Sequence, residues 1–405
     1  MSYHLTKSKN DKNEQSYISL TVGRDEKEIG FTWFFGRGGE GELIYAKRSE
    51  LENGEMPYYA ARVKTEGVRA NDRGQYSFQL TVGGLERNTE YVYRLKNGDT
   101  ISDVHSFKTG GGEDFTFALV GDPQVDSHRE DDNVGNWERT LEVIDNDPVF
   151  SNVDFIVSTG DQIEEYNDED DYSAFLEHPQ MSRFPFAVTI GNHETDSPLY
   201  HLHFNVCNFS KYARTDAGTN NHFTYNGVLF VVLNTNIYDV EEHRRFIEEV
   251  LAANPDPKWK IALFHVSIFT AGKHGPQENL ISLREKLAPI LDKAGFDIVL
   301  MGHDHIYCRT YVMDGLCAIT DPSVYGGENY NAVTDPHGTV YITVNSASGS
   351  KTYDVTGDYG YTAFANQEHI ANVSRVRVTH NEINVTTYRT LDMSVVDDFT
   401  IKRSR

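Results

Sequence analysis

Ile18, Leu20 and Val22 stand between polar neighbours, the two-residue period of a strand with one buried face. Residues 29–34, 76–82 and 90–95 also read as strands, and the run 36–41, with four glycines, breaks the chain among them. No good helical spacing separates these segments, so residues 16–109 are expected to form a β-sandwich. Ahead of it, residues 1–15 are polar and are expected to be a flexible N-terminus. Gly110-Gly111-Gly112 reads as a hinge before a second domain over 113–405.

The pattern then changes. Apolar runs at 115–120, 153–158, 186–190, 260–264 and 296–301 predict buried strands, and helical spacing appears at 136–145, 240–253 and 280–294. Strands alternating with helices predict a largely parallel, layered α/β domain. Toward the end, 339–344, 373–379, 383–388 and 398–401 read as antiparallel strands closing the sheet.

Each of the five apolar runs leads into donors suited to metal ions. The stretches are Gly121-Asp122-Pro123-Gln124, Gly160-Asp161-Gln162, Gly191-Asn192-His193-Glu194, Phe264-His265 and Gly302-His303-Asp304-His305. Ligands of open α/β sheets gather beyond the carboxyl ends of the strands, so five such ends point to one polar site. Mixed oxygen and imidazole donors favour transition metals over calcium. Asp161 is the proposed bridge, because a carboxylate can serve two ions. Asp122 and His305 complete one side; Asn192, His265 and His303 complete the other. Taken singly, each has a plain alternative: Asp122 and Asp161 as helix caps, Asn192-His193 as a turn, His265 as a core histidine.

Composition narrows the picture. A chain of 405 residues with 39% hydrophobic content, 23 Tyr and 22 Phe can fill the cores of two domains, which argues against disorder. A formal charge of −24 opposes a basic grip on nucleic acid and electrostatic docking on anionic membranes. An anionic ligand would therefore need local cations. Cys207, Cys308 and Cys317 form no dense disulfide framework; Cys308 and Cys317 can pair or lie free in the core. No run of 18 apolar residues exists to cross a membrane, and the first ten residues lack the apolar stretch of a signal peptide.

The five stretches resemble those of the calcineurin-like metallophosphoesterases, over roughly 115–400. The preceding region is similar to the fibronectin type III-like domain of purple acid phosphatases. That likeness is carried by residues 84–94, Gly-Leu-Glu-Arg-Asn-Thr-Glu-Tyr-Val-Tyr-Arg, and by Ser106-Phe107-Lys108-Thr109. The resemblance implies a four-layer α/β/β/α catalytic domain behind an all-β sandwich. It implies two divalent or trivalent transition-metal ions (Fe, Mn or Zn) on the ligands named above and a small phosphorylated substrate. A metal-bound hydroxide would attack the phosphate monoester directly, with no covalent enzyme intermediate.

In similar enzymes the residue corresponding to His193 faces the leaving oxygen. His193 is therefore expected to act as general acid or to contact the transition state, with Glu194 holding its tautomer; a structural hydrogen bond is the alternative. His274 is expected either to reach substrate or to be an exposed loop residue, and His128 and Tyr325 are pocket candidates by position alone. Two departures stand out. Purple acid phosphatases carry a Tyr three residues after the bridging Asp, where this chain has Glu164, with Tyr166 two further on. Other members carry His two residues after the first Asp, where this chain has Gln124, a candidate weak ligand, substrate contact or partner of Asp122. The acidic run 168–171 reads as a solvated face or an overhang of the cleft.

Two other readings remain open from sequence. One is a phosphodiesterase acting on nucleotide or lipid-headgroup diesters. The other is a carbohydrate- or surface-binding protein whose α/β domain is inactive. Oligomeric state is open; resemblance to exported phosphatases points to secretion or the cell surface with the signal absent from this chain, otherwise to the cytoplasm.

Overall fold

Strand Phe115–Val120 shows how the layers after residue 113 are built. Phe117 and Leu119 point to one side and pack against Phe230, Val232, Ile261 and Leu263 of a second sheet. Ala118 and Val120 point to the other side and meet Trp137, Leu141 and Phe175 of two helices, Asn133–Asn146 and Glu169–Leu176. Both faces are buried, so the strand is apolar throughout rather than alternating. Behind the second sheet, helices Val240–Ala253 and Glu278–Ala294 bury Phe246, Ile247, Val250, Leu283, Leu287 and Leu291 at helical spacing. The Asp239 side chain caps the first of these, accepting from Glu241 N at 3.0 Å. Gly295, at φ 70°, ends the second in the left-handed conformation. The order of layers is thus α/β/β/α. The computed structural model describes residues 13–327 and 329–404; residues 1–12 of the expected flexible N-terminus lie outside them.

Three strands lie parallel in the first sheet: Phe115–Val120, Phe155–Ser158 and Pro185–Val188. The second sheet likewise aligns Val228–Leu233, Lys260–Phe264, Ile298–Met301 and Val340–Thr343 in parallel. The expectation of an antiparallel strand at 339–344 is corrected here. Val340–Thr343 runs parallel to Ile298–Met301 and antiparallel to Tyr307–Thr310. The last three strands, Asn372–Val378, Glu382–Arg389 and Val395–Lys402, do pair antiparallel and extend the first sheet.

The N-terminal sandwich packs Leu20, Phe31, Trp33, Leu43, Phe78, Tyr93 and Phe107 between its two sheets. One of those sheets is continuous with the α/β region. Ser16–Val22 pairs in parallel with Pro185–Val188, Leu20 opposite Pro185 and Thr21 opposite Phe186. The first sheet therefore runs through eleven strands of both regions. The triple glycine is no slack hinge either. Asn88 N donates to the Gly110 carbonyl at 3.1 Å, and a side chain at Gly110 would run into the Tyr225 hydroxyl. Glycine is there because the linker is pressed against the body of the protein. All three cysteines are free; Cys308 is buried and Cys317 exposed. Among the described residues, no helix is long and apolar enough to cross a membrane.

Candidate metal centre

The strands end where the chain must turn sharply, and the turning residues are the predicted ligands. Asp122, Asp161, His303 and His305 have φ of 38°, 48°, 72° and 43°, and Gln124 has 40°. Non-glycine residues in this left-handed region are strained by roughly 1–3 kcal/mol each, and such residues cluster at functional sites. The loops hold one another in place. Gln124 N donates to the Asp161 carbonyl at 2.7 Å, and Gly302 N to the His265 carbonyl at 3.0 Å. His303 N bridges both Asp122 oxygens, at 2.8 and 2.9 Å.

The convergence is tight. His265 Nε2 lies 3.1 Å from Asp161 Oδ2, 3.1 Å from Asn192 Oδ1 and 3.2 Å from His303 Nδ1. Beside this group, His305 Nε2 lies 3.5 Å from Asp122 Oδ1, which is 3.8 Å from His265 Nδ1. All six residues proposed as ligands are thus brought together. Metal–ligand bonds of about 2.0–2.2 Å separate adjacent donor atoms by about 3.0–3.5 Å, the spacing seen here.

The electrostatics also fit cations. Burial drives the Asp122 carboxyl well above its usual range, while at Asp161 the opposing pull of His265 outweighs burial and lowers it. Burial disfavours charge on His265 as well, yet Asp161 and Asp122 push it up to about 9. The cluster thus carries a proton where its carboxylates call for positive charge. Burial first, then the neighbouring imidazolium, keep His303 well below the usual range, and burial brings His305 down to about 4. Neutral imidazoles with available lone pairs are what a metal requires. Two tautomers are set by backbone: His265 Nδ1 donates to the Thr159 carbonyl at 2.9 Å and His305 Nδ1 to the Lys351 carbonyl at 2.8 Å, leaving each Nε2 turned to the cluster. Gln124 contacts His193 Nε2 through its side-chain nitrogen at 2.7 Å rather than bonding Asp122. Its buried Oε1 has no partner among the described residues, as a donor to an ion would.

Glu194 requires a correction: it does not hold the His193 tautomer. Its carboxylate is fully buried and accepts from Gln162 N at 2.7 Å, Gly191 N at 2.7 Å and Asp161 N at 3.1 Å. It thereby fixes the backbone of the Asp161 and Asn192 loops. The His193 ring donates instead from Nδ1 to the Glu164 carbonyl at 2.5 Å, and its own backbone N donates to Asp161 Oδ1 at 2.9 Å. His274 stacks on His303 with ring centroids 4.4 Å apart, and Asp304 receives its Nδ1 at 2.7 Å. Asp304 also accepts from Thr270 Oγ1 at 2.5 Å, so a residue with no role readable from sequence anchors the His274 loop.

Other candidates sit elsewhere. Exposed His128 pairs with Asp168 at 2.8 Å. Tyr325 is structural: its hydroxyl accepts from Val312 N and donates to the Ile319 carbonyl, both at 2.7 Å. The acidic run is not simply solvated. Asp168 caps the helix Glu169–Leu176, while Glu169 and Asp171 are buried and take hydrogen bonds from Asn71 and Ser127. Two wall residues escaped the sequence altogether. Tyr353 packs on His305 and His274, with centroids at 5.0 and 5.5 Å, and Lys273 Nζ lies 4.4 Å over its ring. No periodicity marks 346–353, a Ser-rich loop, as part of a site.

Comparison with known proteins agrees with this geometry. Residues 15–109 match the model of the purple acid phosphatase N-terminal domain. Probable purple acid phosphatase 20 of Arabidopsis thaliana is 23% identical over 315 residues, 73% of this chain and 68% of that protein. Purple acid phosphatase 18 of the same plant is 24% identical over 348 residues, covering 82% and 70%. Among solved structures, the purple acid phosphatase PPD1 of yellow lupin (Lupinus luteus) seeds shares the fold. Its TM-score is 0.76 at 18% identity, across 97% of this chain and 75% of that one. The structure of PhoD matches with a TM-score of 0.64 at 13% identity, across 96% and 95%. Residues 100–307, just over half of the chain, match the model of the calcineurin-like phosphoesterases, and the chain belongs to that family.

Proposed function

We propose that this protein hydrolyses phosphate monoesters with two transition-metal ions (Fe, Mn or Zn). Asp161 would be shared, Asp122 and His305 would hold one ion with Gln124 as a weak fourth donor, and Asn192, His265 and His303 would hold the other. The observation that carries this reading is the meeting of three donor atoms, from Asp161, Asn192 and His303, within 3.2 Å of His265 Nε2, with Asp122 and His305 alongside. A pair of such ions clamps phosphoryl oxygens and makes a bound water more acidic.

The chain's own groups supply the rest. His193 stands at the edge of the cluster, with its Nδ1 proton committed to the Glu164 carbonyl, so Nε2 is the atom that would deliver a proton to the leaving oxygen. Gln124, at Nε2, can donate to the neutral ring, or accept from the protonated one if its amide turns over. His274 is held at Nδ1 by Asp304, which leaves Nε2 for a substrate oxygen. Glu194 keeps the loops of Asp161 and Asn192 rigid through three backbone amides. Glu164 is turned to Lys351, which supports a centre without a tyrosine ligand.

Elemental analysis of the purified protein with parallel assays on p-nitrophenyl phosphate and bis-p-nitrophenyl phosphate tests the proposal. Two bound transition ions and faster turnover of the monoester are expected. Faster diester turnover would overturn monoester specificity, and absence of both metal and turnover would overturn the function. Export to the cell surface or beyond is part of the same proposal, tested by fractionating cells that express the native gene.

A further inference from the structure

Glu164 and Lys351 lie 187 positions apart, on the loops that follow Asp161 and Ser346. Lys351 Nζ meets both carboxylate oxygens of Glu164, at 2.6 and 2.8 Å. The two side chains are mostly shielded, 28% and 18% exposed. Each residue has a second task. The Glu164 carbonyl receives Nδ1 of His193 at 2.5 Å, and the Lys351 carbonyl receives Nδ1 of His305 at 2.8 Å. One ion pair therefore joins the two backbone segments that fix these imidazoles. Upstream, the 346–350 segment is tied to the Asp122 loop: Ser346 Oγ donates to the Asp122 carbonyl at 2.9 Å, and Ser348 Oγ donates to the Pro123 carbonyl. Glu164 is itself anchored, its N donating to the Val125 carbonyl at 2.9 Å.

We propose that the Glu164–Lys351 ion pair is a positioning element that locks His193 and His305 together, in tautomer and in orientation. The inference rests on the metallophosphoesterase reading. With Nδ1–H spent on a carbonyl, each ring turns its Nε2 lone pair or proton toward the site. If the loops drift apart, His305 loses its aim at the ion shared with Asp122, and His193 its aim at the leaving oxygen. Partners that orient metal-binding histidines are typically worth about 10- to 100-fold in metal affinity or activity. The pair also places this role on Glu164, which stands where purple acid phosphatases carry a tyrosine.

The test uses the full chain stripped of metal and titrated with zinc, as wild type, Lys351→Met, Glu164→Gln, Lys351→Arg and the exchanged pair Glu164→Lys/Lys351→Glu. Lys351→Met and Glu164→Gln are expected to weaken zinc binding and lower kcat for p-nitrophenyl phosphate by about 10- to 100-fold, with KM within about twofold. Lys351→Arg and the exchanged pair should recover most of both. In metal-free protein labelled with 15N-histidine, the slowly exchanging Nδ1 protons of His193 and His305 should be lost in Lys351→Met. Wild-type zinc affinity and kcat in Lys351→Met would overturn the inference, as would an exchanged pair no better than either single variant. A wild-type chain that takes up none of zinc, manganese and iron would overturn the functional reading and this inference with it. Zinc uptake indifferent to Lys351 would overturn the ion pair alone.

Discussion

Gly302→Ala is the sharpest single perturbation of the centre. A Cβ at residue 302 would collide with Asp122 Oδ2 and lie 2.6 Å from Thr159 Oγ1. Ordinary contact needs about 3.4 Å, so both neighbours must retreat, each by close to 1 Å. Thr159 is fully buried, and the Asp122 carboxylate is held by both bonds from His303 N. Neither can move without disturbing the ligand loop. Overpacking a filled site typically destabilises by about 1–3 kcal/mol, and a 1 Å misplacement at a reacting centre can cost about 100-fold in rate. Gly302→Ala is therefore expected to fold, to lose about 1–3 kcal/mol of stability, to bind zinc more weakly and to lose about 100-fold in kcat. Gly315→Ala is the control: its φ is 58°, nothing lies within 4 Å, and it should show only the backbone penalty of about 1 kcal/mol. Zinc titration, denaturant unfolding and p-nitrophenyl phosphate kinetics report the three quantities. A Gly302→Ala enzyme with wild-type zinc affinity and kcat would refute the argument that this glycine exists to admit the Asp122 carboxylate.

His193→Ala should keep two metals per chain and lose about 100- to 10,000-fold in kcat, the usual span for a proton donor, as steady-state kinetics beside elemental analysis would report. Away from the site, Asp397 takes Arg309 Nε at 2.7 Å and Nη2 at 3.2 Å, both residues being buried. Asp397→Ala leaves a buried guanidinium unpaired and should destabilise by about 3–5 kcal/mol in urea, with metal content unchanged. Burial raises the Asp154 carboxyl to about 6 despite its bond from Thr116 N. Unfolded, it ionises near its ordinary value, so between about pH 4 and 6 the folded state holds the extra proton. Its contribution must therefore fall as pH rises through that window, by at most roughly 3 kcal/mol, and level off above it. Asp154→Asn should flatten that segment of the stability curve, and an unchanged slope would count against the burial of this carboxyl.

Much of this protein was written locally. The apolar runs that became Phe115–Val120 and Lys260–Phe264 need no partner to be recognised, and neither does the helical spacing of Val240–Ala253. The six proposed ligands were legible because each follows a buried strand, and strand ends of parallel sheets converge on one edge. Roles that depend on neighbours distant in sequence were not. Glu194 follows His193 directly, yet the chain turns its carboxylate into the amides of 161–162 and 191. Tyr325 sat at a plausible distance along the chain, but its hydroxyl closes a turn instead.

The sequence by itself determined which strands are buried, which side chains can bind metal and the order in which they appear, because periodicity and donor chemistry belong to single residues and their near neighbours. Tertiary structure alone decided that Ser16–Val22 would extend the catalytic sheet, that Lys351 would meet Glu164, and that Asp304 would hold His274. Those pairings span up to 187 positions. No short-range pattern encodes them, since they exist only after the layers have packed and fixed which loops share the mouth of the site.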